Sequence, residues 1–522
     1  MVVSPAVSGN LNQDRRAQPV TIRHVLPLAL ILLATLWVVR DRAFGLWSHS
    51  VDLGIHYAKV SRIAERGVTP PAFDPALGQL ISFYPRWAHI SAAFLGKWTG
   101  SSLVGMQVVV LGAVALLWGA VGLGLGTLPR RAMFAAFTLV MTALALNARW
   151  LGLEIHGYEI VDNYFFAHLV SQAAVIGFIV GALWLERLGV AAHRTYLFLG
   201  AGVLVADNLH FTPAVVLLGL LALLVLADFV ALPTGRRRRV TIGLLVVVAA
   251  TVLTVMDPFF RIMVKIAAEN GYLALRYVGN VPTLAKLCVL VAVLSAGTFA
   301  FWFRSAGREE GRKWLLFKYV ALYGLATALL CGLQIGMLTL GRGSEYACRK
   351  YAFALNTALL LELALLPVGL MKRWWRVGPS PAPLAASVLP AVLLIMAVRL
   401  ILPDAKAGDY RRLRRDERAI FALGQSKDFG PGQGKLDFVV GLGDRTHDYL
   451  FNIGWLRQPH YGYNGSIEVL QGKAFSRPEL VGRLASREGS PWDVPACRLG
   501  PALDSLVVLD GACVATAGAP KK

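Results

Sequence analysis

Long apolar runs alternate with short polar segments along most of the chain. Several runs reach the roughly 18 residues that a helix needs to cross a bilayer. Residues 195–232 form one apolar stretch that is too long for a single crossing, and "DNLHFTP" interrupts it, so the pattern predicts two helices joined by a turn there. The chain is predicted to be a mainly α, polytopic membrane protein with about 11 transmembrane helices. These spans are expected at 24–39, 103–127, 132–149, 166–185, two within 195–232, 240–256, 283–303, 314–340, 352–371 and 383–402.

Composition agrees with a membrane protein. Of the 522 residues, 56% are hydrophobic and only 16% are charged, whereas about 25% of residues are charged in an average soluble domain. No small-residue cleavage site follows the first apolar run, so we expect it to be a retained helix and not a signal peptide.

Charge patterning predicts the orientation. The net charge is +21, but the basic residues lie in short clusters between apolar runs, which is typical of cytoplasmic loops and argues against a nucleic-acid partner. The segments expected inside hold 18 Lys and Arg against four acids; they are 1–24, 128–132, 186–194, 235–240, 304–313 and 372–376. The pattern therefore predicts the N-terminus inside the cytoplasm and the C-terminal tail outside.

The polarity change near residue 403 divides the chain into two domains. Residues 1–403, with a first outer loop at 40–102, form the predicted membrane domain, and 404–522 form a small extracytoplasmic α/β domain. In that tail, "LDFVVGLGD" and "DSLVVLDG" indicate buried strands, and "RPELVGRLASRE" has a helical apolar pattern. A disulfide between Cys497 and Cys513 is plausible if the tail lies outside the cytoplasm.

Polar residues able to do chemistry concentrate in the predicted outer segments, whereas the inner loops are short and basic. We find no phosphate-binding P-loop and no nucleophile elbow. Any reaction is therefore expected on the outer side. The outer candidates are Asp52, His56, Tyr57, Tyr84, His89, Glu154, His156, Glu159, Asp162, His210, Arg276, Arg342, Arg349 and Lys350.

Asp52 opens the first outer segment. A helix over "SVDLGIHYAKV" would place Asp52, His56 and Lys59 on one face. A partly desolvated carboxylate at the membrane surface can serve as a general base toward a sugar hydroxyl. The alternative is an interfacial acid paired with Arg40, Arg42 or Lys59.

Two more segments offer polar groups with more than one interpretation. In "ISFYPRWAHISA", Tyr84 and His89 are either site residues or part of a proline-led helix start with interfacial aromatics. In "EIHGYEIVD", the acids and histidine are able to bind a divalent metal, orient an acceptor sugar, or belong to a solvated loop. Those residues are Glu154, His156, Glu159 and Asp162.

Late in the chain, "EYACRKY" places two cations at the start of a span. Arg349 and Lys350 are candidates for phosphate contacts, since guanidinium gives bidentate contacts and ammonium a point charge. Their alternative is a snorkelling anchor at the interface. His210, in the turn "DNLHFTP", is either a phosphate contact or a turn histidine with its hydrogen bonds satisfied.

The opening of the chain resembles a known family. One span is followed by Ser-x-Asp-x-x-x-His-Tyr, a Gly-x-x-Pro turn in "ERGVTPPAFDP", and "YPRWAH" leading back to the membrane. This resembles the GT-C superfamily of integral-membrane glycosyltransferases. The resemblance implies a polyprenyl-phosphate-sugar donor, a glycan or lipid acceptor, and inverting transfer at the outer face of a bacterial cytoplasmic membrane. It implies Asp52 as the catalytic acid of the outer loop.

By the same resemblance, Glu159 or Asp162 would be the second-loop acid, and Arg349, then Lys350 or Arg342, would meet the donor phosphate. The chain departs from the family's Asp-x-Asp pattern, since Asp52 stands at this motif without a second acid two residues away. A divalent metal cofactor stays an open alternative, but the missing pair gives it no support, and no other cofactor is predicted. Two other functions stay open: a transporter or flippase of a lipid-linked or polar substrate, and a non-catalytic envelope assembly protein.

Overall fold

The computed structural model describes residues 51–68, 73, 82–231, 236–262, 275, 277–304, 309–371, 383–402, 407–425, 436–442, 445–454 and 482–517. The predicted first span, 24–39, lies outside these described residues.

The described membrane domain consists of helices. In chain order they are α1 Val51–Arg66, α2 Trp87–Thr99, α3 Ser102–Leu125, α4 Arg130–Leu146, α5 Glu159–Asp162, α6 Phe166–Arg187, α7 Ala192–Leu209, α8 Phe211–Ala231, α9 Arg236–Met256, α10 Val281–Phe303, α11 Glu309–Lys313, α12 Leu315–Thr339, α13 Glu345–Lys350, α14 Ala352–Leu370 and α15 Pro383–Ile401. A π-helical turn, Asn147–Leu151, extends α4.

Eight helices within the described residues are long and apolar enough to cross a membrane. They correspond to α3, α4, α6, α8, α9, α10, α12 and α13–α14. The protein is therefore a mainly helical protein with membrane-spanning helices, and the count of 11 spans is not confirmed. The predicted turn at "DNLHFTP" is confirmed, because α7 ends at Leu209 and α8 begins at Phe211.

Burial separates central from peripheral helices. In α6 and in the combined span α13–α14, 72% of the apolar stretch is buried inside the protein. The buried share is only 17% in α9 and 28% in α10. The exposed leucines and valines of α9 and α10 are what lipid-facing helices require. The polar residues at the ends of α6 and α14 consequently lie near the middle of the helix bundle.

The helices α2 and α3 pack closely where they meet. A side chain at Gly105 would overlap the carbonyl oxygen of Ala92 and the backbone of Gly96, so the approach requires glycine. Ser101 caps α3 by accepting a hydrogen bond from the Val104 amide at 3.2 Å. This junction fixes the membrane end of the first outer segment.

The C-terminal domain contains a three-stranded sheet. Its elements are α16 Ala407–Gln425, β1 Phe438–Val440, α17 Arg445–Gly454, β2 Arg483–Arg487, a 3₁₀ turn Pro495–Cys497, β3 Leu506–Asp510 and α18 Gly511–Thr516. Strand β2 is central, parallel to β1 and antiparallel to β3. The two predicted strands are confirmed, and Cys497 and Cys513 form a disulfide.

The helix predicted for "RPELVGRLASRE" is wrong over its last part. Arg483–Arg487 is strand β2, with Leu484, Ala485 and Ser486 all buried. Pairing with β1 on one edge and β3 on the other supplies hydrogen bonds along the segment, and this tertiary pairing overrides its local helical pattern.

Candidate functional site

The segment predicted to be the first outer loop contributes a helix, as predicted, and this helix presents Asp52 and His56 to the membrane domain. Asp52 is partly exposed, and His56 is buried. Burial raises the pKa of Asp52 to about 6, although the positive charge of Lys350 acts in the opposite direction. Arg40 and Arg42, the alternative partners of Asp52, lie outside the described residues.

A buried pair of histidines lies beside Asp52. His56 Nδ1 and His89 Nε2 are 2.8 Å apart, and His89 Nδ1 donates to the Pro85 carbonyl at 3.0 Å. Burial, together with the charge of Lys59, lowers the pKa of both histidines, to about 3 for His56. The pair is therefore neutral at physiological pH.

Tyr84 connects this pair to the later helices. Its ring lies 5.6 Å from His56, 5.8 Å from His89 and 5.8 Å from His210, measured between ring centroids. Burial raises the pKa of the Tyr84 hydroxyl, and the negative charge of Asp52 adds to this effect. Tyr84 lies just before α2, His89 lies in its first turn, and both belong to the cluster, so the two interpretations of "ISFYPRWAHISA" are compatible.

The segment predicted to be the second outer loop is buried, which excludes a solvated loop for Glu154, His156 and Glu159. His156 Nδ1 lies 2.7 Å from Glu159 Oε1, and His156 Nε2 lies 2.7 Å from the hydroxyl of Tyr323 on α12. The Gly157 amide donates to the other Glu159 oxygen at 2.5 Å. His156 therefore links Glu159 rigidly to α12.

The other two acids of this segment differ in what the structure describes. Glu154 is buried and accepts a hydrogen bond from the Tyr277 amide at 3.0 Å. Its second oxygen has no hydrogen-bond partner among the described residues. Asp162 ends the short helix α5, but its side chain lies outside the described part of the chain.

Lys350 is the late cation that reaches the site. Its ammonium lies 4.9 Å from the ring centroid of Phe165 and 4.5 Å from that of Tyr346. Besides Asp52, its charge acts on the rings of His56, His168 and His210. The side chain is buried, so its charge is only weakly screened by water.

Arg349, next to it, points elsewhere. Its guanidinium forms a salt bridge with Glu345, and donates to the backbone carbonyls of Val278 at 3.3 Å and Gly279 at 2.9 Å. These contacts fasten α13 to the segment that precedes α10. Because these contacts hold the Arg349 guanidinium and the charge of Lys350 lowers the pKa of Asp52, Lys350 is favoured over Arg349 as the cation near Asp52.

Three further candidates lie away from the cluster or outside the described residues. Tyr57 faces the C-terminal domain, where its hydroxyl donates to Glu417 at 3.1 Å. Arg342 is exposed at the end of α12. Arg276 lies outside the described residues.

Sequence reasoning missed His168, which lies inside an apolar run at the start of α6. It is buried, and its Nδ1 is 4.0 Å from Glu159 Oε1, too far for a hydrogen bond. Its ring centroid is 4.9 Å from that of His210. Neither ring nitrogen of His168 has a hydrogen-bond partner among the described residues. Placing a histidine inside a membrane span is energetically unfavourable. A histidine within an apolar run was therefore the signal in the sequence that could have identified His168 as a site candidate.

The neighbouring ring of His210 provides a hydrogen-bond donor beside His168. Its Nδ1 accepts a hydrogen bond from the Thr212 amide at 3.2 Å, so a neutral ring carries its proton on Nε2. That Nε2 is buried and has no hydrogen-bond partner within the described ranges. His210 therefore is not a turn histidine with all of its hydrogen bonds satisfied.

Tyr164 is a second residue that sequence reasoning missed. It is fully buried, it adopts a left-handed backbone with φ 53°, and its hydroxyl has no hydrogen-bond partner among the described residues. Its ring stacks on Phe166, which contacts both His56 and His89. A buried aromatic residue rarely adopts this backbone, and such strain concentrates at functional sites.

The assembled cluster joins one carboxylate, one ammonium and several neutral histidines. An ammonium and neutral N–H donors together suit an anion such as a phosphate, and the carboxylate suits a proton acceptor. Within the described residues, no group of three or more His, Cys, Asp or Glu side chains is arranged to hold a metal ion.

Fold and site together define a class: a helical membrane protein with a buried polar cluster where several of its helices begin or end. No protein-family model matches the chain, and no curated protein matches it with significant similarity.

Proposed function

We propose that the protein is a membrane glycosyltransferase that moves a sugar from a polyprenyl-phosphate donor to a hydroxyl of a glycan or lipid acceptor. The observation that carries this proposal is that Lys350, from a late helix, is near enough to Asp52, from the start of the described chain, for its charge to lower the pKa of that carboxyl group, and that its charge also acts on buried His56. A base and an anion site side by side are what transfer from a phosphate leaving group requires.

In the proposed reaction, Asp52 accepts the proton of the acceptor hydroxyl as its oxygen attacks the anomeric carbon. The bond from that carbon to the phosphate oxygen breaks, and the electron pair leaves with the polyprenyl phosphate. Attack from the face opposite the leaving group inverts the anomeric configuration. Lys350 and the Nε2–H of His210 would stabilise the negative charge of the leaving phosphate.

An apolar cleft lies open between α3, α6, α12 and α14, and Tyr323 lies in its lining. Because Tyr323 also bonds His156, the cleft adjoins the second outer segment of the cluster. A polyprenyl chain in this cleft would keep its phosphate near the cluster while its tail stays in an apolar environment.

The proposed location is the outer face of a bacterial cytoplasmic membrane. The basic inner segments support this orientation. The Cys497–Cys513 disulfide supports a C-terminal domain outside the cytoplasm, because disulfides persist in oxidising compartments.

The test is substitution of Asp52 in a strain that lacks the chromosomal gene. Lipid extracts of the deletion strain should accumulate a polyprenyl-phosphate sugar, and the wild-type gene should remove it. Asp52→Asn should fail to do so at equal expression, since loss of a general base costs about 10²- to 10⁴-fold. Glu65→Gln, an exposed acid on the same helix, is the matched control. Equal complementation by Asp52→Asn would refute the proposal.

A transporter is the second candidate, because ionisable groups lie buried inside the spans. Lys318 is buried and pairs with Glu186 at 3.0 Å and Asp228 at 2.8 Å, and Glu362 is buried in α14. Such residues often mark a transport pathway. Proteoliposomes that move a lipid-linked sugar between leaflets without forming a glycosidic bond would favour this function.

A further inference from the structure

A carboxylate of the C-terminal domain lies buried at the junction with the membrane domain. Glu417 of α16 is 2% exposed. It accepts hydrogen bonds from the Tyr57 hydroxyl at 3.1 Å, from the Ser101 hydroxyl, and from the Leu103 amide at 3.4 Å. A single side chain thus joins three parts of the chain: α16, α1 and the start of α3.

Each donor is fixed by its own element. Ser101 is the N-cap of α3, and Leu103 lies in the first turn of that helix, where amides have no partner within the helix. A carboxylate at this end is also favoured by the helix dipole. Glu417 therefore completes the cap of a membrane span from outside it.

The helix α1 lies between this junction and the polar cluster. Tyr57 points to the C-terminal domain, where its ring also packs edge-on against Phe451 of α17 at 6.3 Å. Asp52 and His56 lie on a different face of the same helix. Any rotation or shift of α1 that broke the Tyr57 contacts would also move Asp52.

The residue before Glu417 ties α16 to the sheet. Asp416 is buried and forms an ion pair with Arg487 of β2 at 2.6 Å. Successive residues of one helix thus bond the sheet on one side and the membrane domain on the other. Within the described residues, α16 therefore connects α1 to the sheet of the C-terminal domain through side-chain contacts.

We infer that Glu417 is a positioning residue, which locks α1 against the start of α3 and so sets the position of Asp52. The C-terminal domain then forms part of the framework of the site. The catalytic consequence rests on the function proposed above, whereas the docking of α1 does not.

Two readouts on the full-length protein in detergent test this inference. The first is hydrogen exchange of the α1 amides, which reports docking whatever the activity is. In Glu417→Gln, a side-chain NH₂ group takes the place of one carboxylate oxygen. A hydrogen-bond donor then faces groups that themselves donate, namely those of Tyr57, Ser101 and Leu103. We expect exchange in α1 to accelerate about tenfold, which corresponds to about 1.4 kcal/mol of lost docking, while exchange in α12 stays unchanged.

The second readout is transfer kinetics with a polyprenyl-phosphate sugar that the wild-type protein uses. A shift of the base by a fraction of an ångström to 1 Å lowers kcat by about 10- to 100-fold, whereas KM for the donor should stay within about twofold. Tyr57→Phe removes one donor only and should give a smaller change of the same kind. Glu488→Gln, an exposed acid of the same domain, is the control and should match the wild type.

The outcomes separate the two proposals. Unchanged α1 exchange in Glu417→Gln, or a loss that falls on KM alone, would overturn the positioning role. If Glu417→Gln does not fold, Tyr57→Phe and Ser101→Ala decide by the same α1 exchange. Faster α1 exchange in a protein without transfer activity would uphold the docking and overturn the glycosyltransferase.

Discussion

Replacing Lys350 with Met should change the pH dependence of the proposed reaction. In the wild type, Asp52 has a pKa of about 6, raised from its usual value by burial and held down by the charge of Lys350. Below that pH Asp52 is protonated and cannot act as a base, so kcat/KM should fall as pH drops through about 6.

The size of the change follows from the removed charge. An opposite charge at close range lowers the pKa of a carboxyl group by about 1 to 3 units. Lys350 is buried, which weakens solvent screening, so its removal should raise the pKa of Asp52 by about one to two units. The acid limb of kcat/KM should therefore move from about pH 6 to between about 7 and 8 in Lys350→Met. The plateau should also drop about 10²- to 10³-fold, because the leaving phosphate loses its cation.

The assay is transfer from a labelled polyprenyl-phosphate sugar in detergent, measured between pH 5 and 9. Arg342→Gln is the matched control, because it removes one positive charge at an exposed position away from the cluster. Its acid limb should stay at about pH 6. An unmoved limb in Lys350→Met, or an equal shift in the control, would refute the placement of Lys350 beside the base.

Three more predictions follow from single contacts. Tyr323→Phe removes the hydroxyl that lies 2.7 Å from His156 Nε2, and it should lower the free energy of unfolding in detergent by about 1 kcal/mol. An unchanged free energy of unfolding would indicate that this hydrogen bond contributes nothing to stability. His168→Phe keeps a ring at a buried position but removes both nitrogens, so KM for the donor should rise about tenfold in transfer assays, and an unaltered KM would place the phosphate elsewhere. Cys513→Ser opens a loop that the disulfide closes across 16 residues, and it should destabilise the C-terminal domain by about 3 kcal/mol. Denaturant unfolding should show a lower midpoint, and a midpoint equal to that of the wild type would contradict a stabilising role.

The helical character of the apolar runs and the break within 195–232 were predictable because they depend on local pattern. The apolar runs specify helices such as α3 and α8, and the short interruption "DNLHFTP" specifies the break between α7 and α8. The face shared by Asp52 and His56 also follows from helix geometry alone. Strand β2 was not predictable in this way, because its conformation depends on pairing with β1 and β3 from distant parts of the tail.

The composition of the candidate site could be predicted only in part. Asp52, Tyr84 and Glu159 stood out because they are polar residues in segments between apolar runs. His168 did not, since the run that contains it already satisfies the length and hydropathy of a span. Glu417 was hidden for a different reason: it lies on a strongly charged helix, where an acid is ordinarily solvated, and only the docking of that helix buries it.

The choice between Arg349 and Lys350 depends on tertiary structure alone. Neighbouring residues of a helix differ by about 100° in direction, so Arg349 and Lys350 leave α13 in different directions. On residue type alone, arginine is the better phosphate ligand because of its bidentate geometry. However, Glu345 and two backbone carbonyls already engage the Arg349 guanidinium, while Lys350 lies over aromatic rings beside Asp52. A cation held against aromatic faces keeps its donors available for a ligand, which is why the proposed mechanism places the leaving phosphate at Lys350 and not at Arg349.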